Sequence, residues 1–351
     1  MRKFEISGRR VGENEPVFIV AEIGINHNGS VRRAKEMADK AFSSGADAVK
    51  FQTFRADSFI SDPKAVYTYR SRGKKVTEPM LEMFGRLEFK RDEWKELLSY
   101  CSQRRIPFFS TPQDKEDLDF LMSITGLSAI KVGSDDLTNT ELLSYYASKN
   151  KPVILSAGMA YRDEIRRAVR AVRKTGNDRL AVLHCVSSYP ADAGEINMRK
   201  MRRIKDELGV ITGFSDHTAG FEAALVATAM GASIVEKHFT LDRSLEGPDH
   251  WFSADPAEFA LMTRKIRLAE KMMGRPDAGP SRKEMSMRRI ARRSIVAAAD
   301  LEKGRRLKKS DLVYKRPGTG LAPYRAGELT GKTVKTKIRK GEILSFKKIE
   351  V

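Results

Sequence analysis

Two of the five histidines close a matched pair of apolar runs. Val210-Ile211-Thr212-Gly213-Phe214-Ser215-Asp216-His217 ends one, and Ala232-Ser233-Ile234-Val235-Glu236-Lys237-His238 ends the other. Each run reads as a buried parallel strand whose last residues turn polar. Two histidines at the ends of adjacent strands can meet at one point and hold a divalent cation, leaving positions open for substrate and water. Asp216 and Glu236 stand beside them as candidates for orienting the imidazoles or for acid–base work. Two lysines, Lys50 in Val49-Lys50-Phe51-Gln52 and Lys131 in Ile130-Lys131-Val132, lie inside apolar runs. An inward-facing charge there is costly without a partner. With Thr111, Ser134, Ser187 and Ser215, all near strand ends, the lysines make an anion site of phosphate and carboxylate type. Glu22, flanked by apolar residues, must be paired or face a polar cavity. Cys185 follows His184, but neighbours on a strand point to opposite faces. A structural or cavity-lining role suits this cysteine better than that of a nucleophile.

The elements that must position these residues recur through residues 17–241. Short apolar runs occupy 17–23, 48–51, 107–110, 129–132, 153–156, 180–185, 210–214 and 233–239, and amphipathic stretches separate them. Eight such β/α units in roughly 250 residues predict a (β/α)8 TIM barrel, whose chemistry sits at the C-terminal ends of the strands. A doubly wound open sheet is the competing architecture, but the Gly-rich phosphate fingerprint it usually carries is absent. Residues 4–15 alternate weakly around Ser7-Gly8 and suit a hairpin plugging the barrel's bottom. The expected division is a barrel domain over 1–280, a linker over 281–290, and a small β-rich domain over 291–351 with strands at 294–299 and 331–338. Within that domain Asp300-Leu301-Glu302-Lys303-Gly304 is faintly repeated in Lys337-Ile338-Arg339-Lys340-Gly341.

Composition narrows the functional classes. Charged residues make up 32% and hydrophobic ones 41% of the 351 residues, which are globular values. Two cysteines suit a reducing compartment, and no signal peptide or membrane-length run is visible. A cytoplasmic protein with no membrane partner is expected. The formal charge of +19 is concentrated in residues 281–351, which hold 21 Lys+Arg against 7 Asp+Glu. A non-catalytic, nucleic-acid-binding reading of that basic tail is the rival from another class. The tail lacks clustered aromatics for base stacking, so no nucleic-acid partner is expected.

The motifs Glu22-Ile23-Gly24-Ile25-Asn26-His27-Asn28-Gly29, Val49-Lys50-Phe51-Gln52-Thr53, Lys131-Val132-Gly133-Ser134, Ser156-Ala157-Gly158-Met159, Gly213-Phe214-Ser215-Asp216-His217-Thr218 and Glu236-Lys237-His238-Phe239-Thr240 resemble the sialic acid (N-acetylneuraminate) synthase family. That family also contains legionaminate and pseudaminate synthases. Arg293-Ser294-Ile295-Val296 and Lys315-Arg316-Pro317-Gly318-Thr319-Gly320 look like its C-terminal antifreeze-like (SAF) domain. The resemblance implies condensation of phosphoenolpyruvate with an N-acyl hexosamine, N-acetylmannosamine or a diacetamido relative, to give a nonulosonic acid and phosphate. It implies Mn2+, or Mg2+ or Co2+ in its place, at His217 and His238. It places phosphoenolpyruvate at Lys50, Thr111, Lys131, Ser134 and Ser215, and the sugar at Glu22, Gln52, Tyr189 and Asp249. Arg316 would reach the sugar from the neighbouring subunit of a domain-swapped homodimer. The metal, or a carboxylate such as Asp136 or Glu236, would activate water. The family commonly has Asn where Ser187 stands and Gly-Glu where Asp135-Asp136 stand. A synthase acting on a phosphorylated aldose is the rival within the enzyme class.

Overall fold

The structure, a computed structural model, describes residues 3–124, 127–275 and 277–350. Eight parallel strands close into a barrel: β1 (Phe18–Gly24), β2 (Ala48–Thr53), β3 (Phe108–Pro112), β4 (Ile130–Val132), β5 (Val153–Ser156), β6 (Leu180–His184), β7 (Ile211–Asp216) and β8 (Ile234–His238). Neighbours in sequence are neighbours in space, and β8 pairs with β1 through Ile234–His238 against Phe18–Glu22. The expected barrel is therefore the observed one, and the open sheet is excluded.

Alternation along each strand sorts the side chains. Ile19, Ala21, Ile23, Val49 and Phe51 point outward and pack under the helices, in one large cluster with Met37, Ala41, Leu97 and Phe259. Phe18, Val20, Ala48, Phe109, Ala129, Ile154, Ala181, Leu183, Ile211 and Ile234 point inward and fill the lower barrel. The expected bottom plug is present. Lys3–Ile6 pairs antiparallel with Arg9–Gly12, and its Phe4, Ile6 and Val11 join the inward cluster. Its turn residues Ser7 and Gly8 take φ of 49° and 79°, the left-handed pair that a two-residue hairpin needs.

Because the lower inward positions are apolar, the next positions up carry the polar residues: Glu22, Lys50, Thr111, Lys131, Ser156, Cys185, Ser215 and Glu236. Each lies two or four residues beyond an apolar inward neighbour on its own strand. This is the layer at which the strands end.

A second hairpin, Val66–Ser71 with Lys74–Pro79, and the short helix Met80–Gly85 fill the connection between β2 and β3. Contact density divides the chain into two units, at Met273–Gly274 rather than at 280. The expected linker over 281–290 is a helix, Arg282–Ala291. Ser281 caps it by accepting from Glu284 N, and Glu284 reaches back to the Ser281 N–H, a capping box. The second unit has its own core of Ile295, Ala297, Leu301, Leu307, Leu312, Leu329, Val334, Ile338, Leu344 and Ile349. Ser294–Ala297 pairs with Leu312–Lys315. The stretch 331–338 forms isolated bridges instead of the expected strand. The two copies of the faint repeat meet there: Leu301 and Ile338 exchange backbone hydrogen bonds of 2.8 and 2.9 Å. Among the described residues no helix is long and apolar enough to cross a membrane.

Candidate active site

The upper barrel opens into a cavity of about 480 Å³, within the range of small-molecule sites. Thirteen of the fifteen expected site residues line it: Glu22, Lys50, Gln52, Thr111, Lys131, Ser134, Ser187, Tyr189, Ser215, His217, Glu236, His238 and Asp249. Asp136 does not, and Asp135 lines the cavity in its place. Strand alternation ends at Val132, so the loop and not the pleat decides which carboxylate faces in. Asp136 is half-buried, and burial, with Asp135 beside it, pushes its carboxyl up to about 6. Arg316 belongs to the second unit, where its Nε donates to Ala291 O at 3.0 Å.

The floor is a layer of alternating charge. Lys50 Nζ lies 2.6 Å from Glu22 Oε2 and 3.9 Å from Glu236 Oε2, and Lys131 Nζ lies 3.7 Å from Glu236 Oε1. Neutral partners complete the set. Lys50 donates to Thr111 Oγ1 at 3.1 Å. Lys131 donates to Ser156 Oγ at 2.6 Å, and Gln52 Nε2 donates to Glu22 Oε1 at 3.2 Å. Buried charges require this kind of pairing. Ser156 was not foreseen, although it stands at the inward parity of Ile154.

The environments push the two glutamates apart. Burial raises Glu22 above the usual carboxylate range, against the pull of Lys50. Burial works the same way on Glu236, but Lys131, Lys50 and the Ser215 hydroxyl outweigh it and hold its carboxyl low. Burial depresses Lys131. It opposes the charge on Lys50 too, but there Glu22 and Glu236 prevail and raise the pKa. Two neighbouring carboxyls pushed in opposite directions are a pattern of acid–base pairs.

His217 and His238 have ring centroids 5.5 Å apart. His217 Nδ1 is 2.7 Å from Val186 O. A carbonyl only accepts, so Nδ1 carries the hydrogen and Nε2 the lone pair. Ser215 spends its hydroxyl hydrogen on Glu236 Oε1, at 2.9 Å. Burial lowers His217 to about 4 and His238 well below its ordinary value, so both imidazoles are neutral. His238 Nδ1 is buried without a hydrogen-bond partner, 3.8 Å from Asp249 Oδ2. Neutral rings with an orphaned nitrogen and a free lone pair fit a divalent metal. Among the described residues no group of three or more His, Cys, Asp or Glu side chains gathers in metal-binding fashion.

Asp216 does not serve the cavity. It faces outward, 3.2 Å from the buried Lys237, and accepts from Thr218 N and Oγ1 at 2.9 and 2.7 Å. The same alternation that turns Ser215 and His217 inward turns Asp216 away. His184 also faces outward, bonded to Ile196 O, while Cys185 lines the cavity. Two glycines are required by close approach. A Cβ on Gly158 would stand 2.3 Å from Ser187 Oγ and 2.8 Å from Ser134 Oγ, and one on Gly24, at φ +52°, 2.9 Å from Glu22 Oε1.

Residues 37–278 match the NeuB family, and residues 292–350 match the SAF domain. The chain belongs to the NeuB family. The chain is accordingly a nonulosonic acid synthase, a transferase. An N,N'-diacetyllegionaminic acid synthase of Legionella pneumophila is 39% identical over 343 residues, covering 97% of this chain and 96% of that protein. One from Campylobacter jejuni is 38% identical over 93% of this chain and 98% of that protein. The crystal structure of an N-acetylneuraminic acid (sialic acid) synthetase from Leptospira borgpetersenii, in complex with citrate, superposes with a TM-score of 0.74. It is 33% identical and covers 82% of this chain and 95% of that one.

Proposed function

We propose that this NeuB protein condenses phosphoenolpyruvate with the open-chain form of an N-acyl hexosamine, giving a nine-carbon 2-keto sugar acid and inorganic phosphate. The carrying observation is the buried floor, where Lys50 and Lys131 alternate with Glu22 and Glu236. Two ammonium groups in a water-poor site suit a phosphate and a carboxylate on one small molecule. Thr111, Ser134, Ser187 and Ser215 add hydroxyl donors around them. Glu22, Gln52, Tyr189 and Asp249 hold the sugar.

In this reading the enol carbon of phosphoenolpyruvate attacks the sugar aldehyde, and the carbonyl oxygen becomes a hydroxyl. Glu22, whose carboxyl burial raises above the usual carboxylate range, passes a proton to that oxygen. The neighbouring carbon is left cationic, and water adds to it. Glu236, inclined to stay ionised, takes the water's proton. The carbon–oxygen bond to the bridge then breaks, the new hydroxyl gives its proton to the departing phosphate and becomes the keto oxygen, and Lys50 and Lys131 stabilise the departing charge. His217 and His238 would hold a divalent metal, Mn2+ by family resemblance, which supplies Lewis acidity at the aldehyde when bound.

The relatives at 38% and 39% identity are named for a diacetylated product. That favours a diacetamido acceptor over N-acetylmannosamine. We read the enzyme as a cytoplasmic homodimer in which Arg316 reaches the partner's sugar site. Mixing Arg316→Ala with His217→Ala chains tests this arrangement, because only capping between subunits restores partial activity. The test of the activity is phosphate release from phosphoenolpyruvate with N-acetylmannosamine, its 6-phosphate, or diacetamido sugars. Acceptor-dependent release is expected, fastest with a diacetamido sugar. No release with any acceptor overturns the reading.

A further inference from the structure

The cavity is chemically two-sided. Its floor is charged, but its lining also includes an apolar set: Ile25 after β1, Met83 and Phe84 of the helix Met80–Gly85, and Tyr67 of the hairpin. Ile25 and Met83 are buried in a small cluster with Phe54 and Leu87, with Phe84 packed against it. Phe84 stands edge-on to Phe54 and Phe59, with ring centroids 5.4 and 5.1 Å apart. The wall is therefore backed by rigid packing.

The hairpin is fastened across the opening. Gly247 N donates to Ser71 Oγ at 3.1 Å, and Arg72 Nε donates to Ser244 O at 3.3 Å. The Arg70 guanidinium lies over the Trp251 ring at 5.4 Å. Chain inserted between β2 and β3 is thus tied to the loop after β8, which carries Pro248 and Asp249 into the cavity. Tyr67 is exposed over 38% of its surface, and partial burial of its hydroxyl with the nearby charge of Asp249 raises its pKa. Among the described lining residues Lys50 and Lys131 are the only cations, and both lie at the floor.

These facts orient the acceptor. Its aldehyde carbon must meet phosphoenolpyruvate at the lysine floor, so its far end lies away from the lysines, where the hairpin and the helix supply lining. A phosphate there would meet aromatic and aliphatic side chains and the carboxyl of Asp249, with no cation among the described lining residues to receive it, and Arg316 of the partner subunit is assigned to the sugar's acyl group instead. We infer that the lip made by hairpin 66–79 and helix Met80–Gly85 is the specificity element for the acceptor's far end. Tyr67 is its reading residue, and the lip takes an uncharged apolar or amide substituent and refuses a phosphate.

This inference rests on the proposed condensation. It is tested by steady-state kinetics of Tyr67→Ala, Tyr67→Phe and Tyr67→Lys with a diacetamido sugar, N-acetylmannosamine and N-acetylmannosamine 6-phosphate. Tyr67→Ala should lower kcat/KM for the diacetamido sugar about tenfold, the scale of one lost hydrogen bond with its packing. The KM for phosphoenolpyruvate should stay near wild type, and kcat/KM for N-acetylmannosamine should fall by clearly less than that for the diacetamido sugar. Tyr67→Phe should show the same selective loss at smaller size, and covers the case in which the alanine variant unfolds. Tyr67→Lys should raise the preference for the 6-phosphate about tenfold, since it supplies the missing cation. Equal losses with every acceptor, or a wild-type preference for the 6-phosphate, overturn the inference and leave the condensation standing. Absence of turnover with all three sugars overturns both.

Discussion

Replacing Lys131 with Met removes one ammonium from the floor and leaves a side chain of similar length. In the free enzyme that ammonium stands 3.7 Å from Glu236 Oε1 and donates to Ser156 and to Val132 O. A unit pair at this separation interacts by about 4–5 kcal/mol at an effective dielectric of about 20. Glu236 is not abandoned, because Ser215 still donates to it at 2.9 Å and Lys50 stays 3.9 Å away. The fold should therefore survive with a lowered melting temperature, and the double variant Lys131→Met/Glu236→Gln should recover part of the loss. The effect on the substrate is separate. One charged hydrogen bond to a buried anion is worth about 1.5–3 kcal/mol, or about ten- to a hundredfold in the phosphoenolpyruvate requirement. The assay is phosphate release, with phosphoenolpyruvate varied at saturating sugar and then the reverse. The KM for phosphoenolpyruvate should rise by that factor while the sugar KM moves little. A shift confined to the sugar KM would assign Lys131 to the other substrate and refute the orientation of the site.

Chelation should abolish activity, and His217→Ala should weaken Mn2+ binding, read by the spectroscopic signal of free Mn2+, without unfolding the chain. Full Mn2+ affinity in that variant would remove His217 from the metal site. The buried Asp216–Lys237 pair lies behind both histidines. Lys237→Met should cost about 3–5 kcal/mol in urea unfolding by stranding Asp216, and Asp216→Asn in the same chain should restore much of it. If the double variant is no more stable than the single, the pair is not what holds Asp216. Asp117 supplies a pH signature: burial, then the charge of Asp114, pushes its carboxyl from 3.8 up to about 7. A carboxyl raised in the folded state stabilises the fold fully below its unfolded pKa, and that contribution is lost as pH rises through the folded one. Melting temperature should therefore fall between pH 4 and 7 through this group. Asp117→Asn should flatten that fall, and an unchanged slope would show that Asp117 ionises normally.

The eight strands were legible because each is a short apolar run, and the two lysines and Glu22 were legible because they interrupt such runs. Which charge pairs with which was not. The Glu22–Lys50 contact depends on β1 and β2 lying in a register that sets these residues side by side, and register is a tertiary property. The hairpin 66–79 escaped notice because a two-stranded ribbon exposed along most of its length needs no apolar alternation. Its signal was the turn Arg72-Gly73, with both residues at positive φ. Tyr67, Met83 and Phe84 were missed with it. The helix at 282–291 announced itself only through Ser281 and Glu284, since none of its residues is buried. That Asp135 lines the cavity while Asp136 does not was illegible for a different reason. Beyond the last strand residue, period-two reasoning has nothing to act on.

Phosphoenolpyruvate carrying heavy oxygen at the bridge between carbon and phosphorus puts the central claim to its most direct test. If Lys50 and Lys131 stabilise phosphate leaving from a carbon that has already joined the sugar, all of the label should appear in the released phosphate, and only when an N-acyl hexosamine is present. Unlabelled phosphate would mean that the phosphorus–oxygen bond breaks instead. That result, or labelled phosphate released without a sugar, would contradict condensation in this cavity.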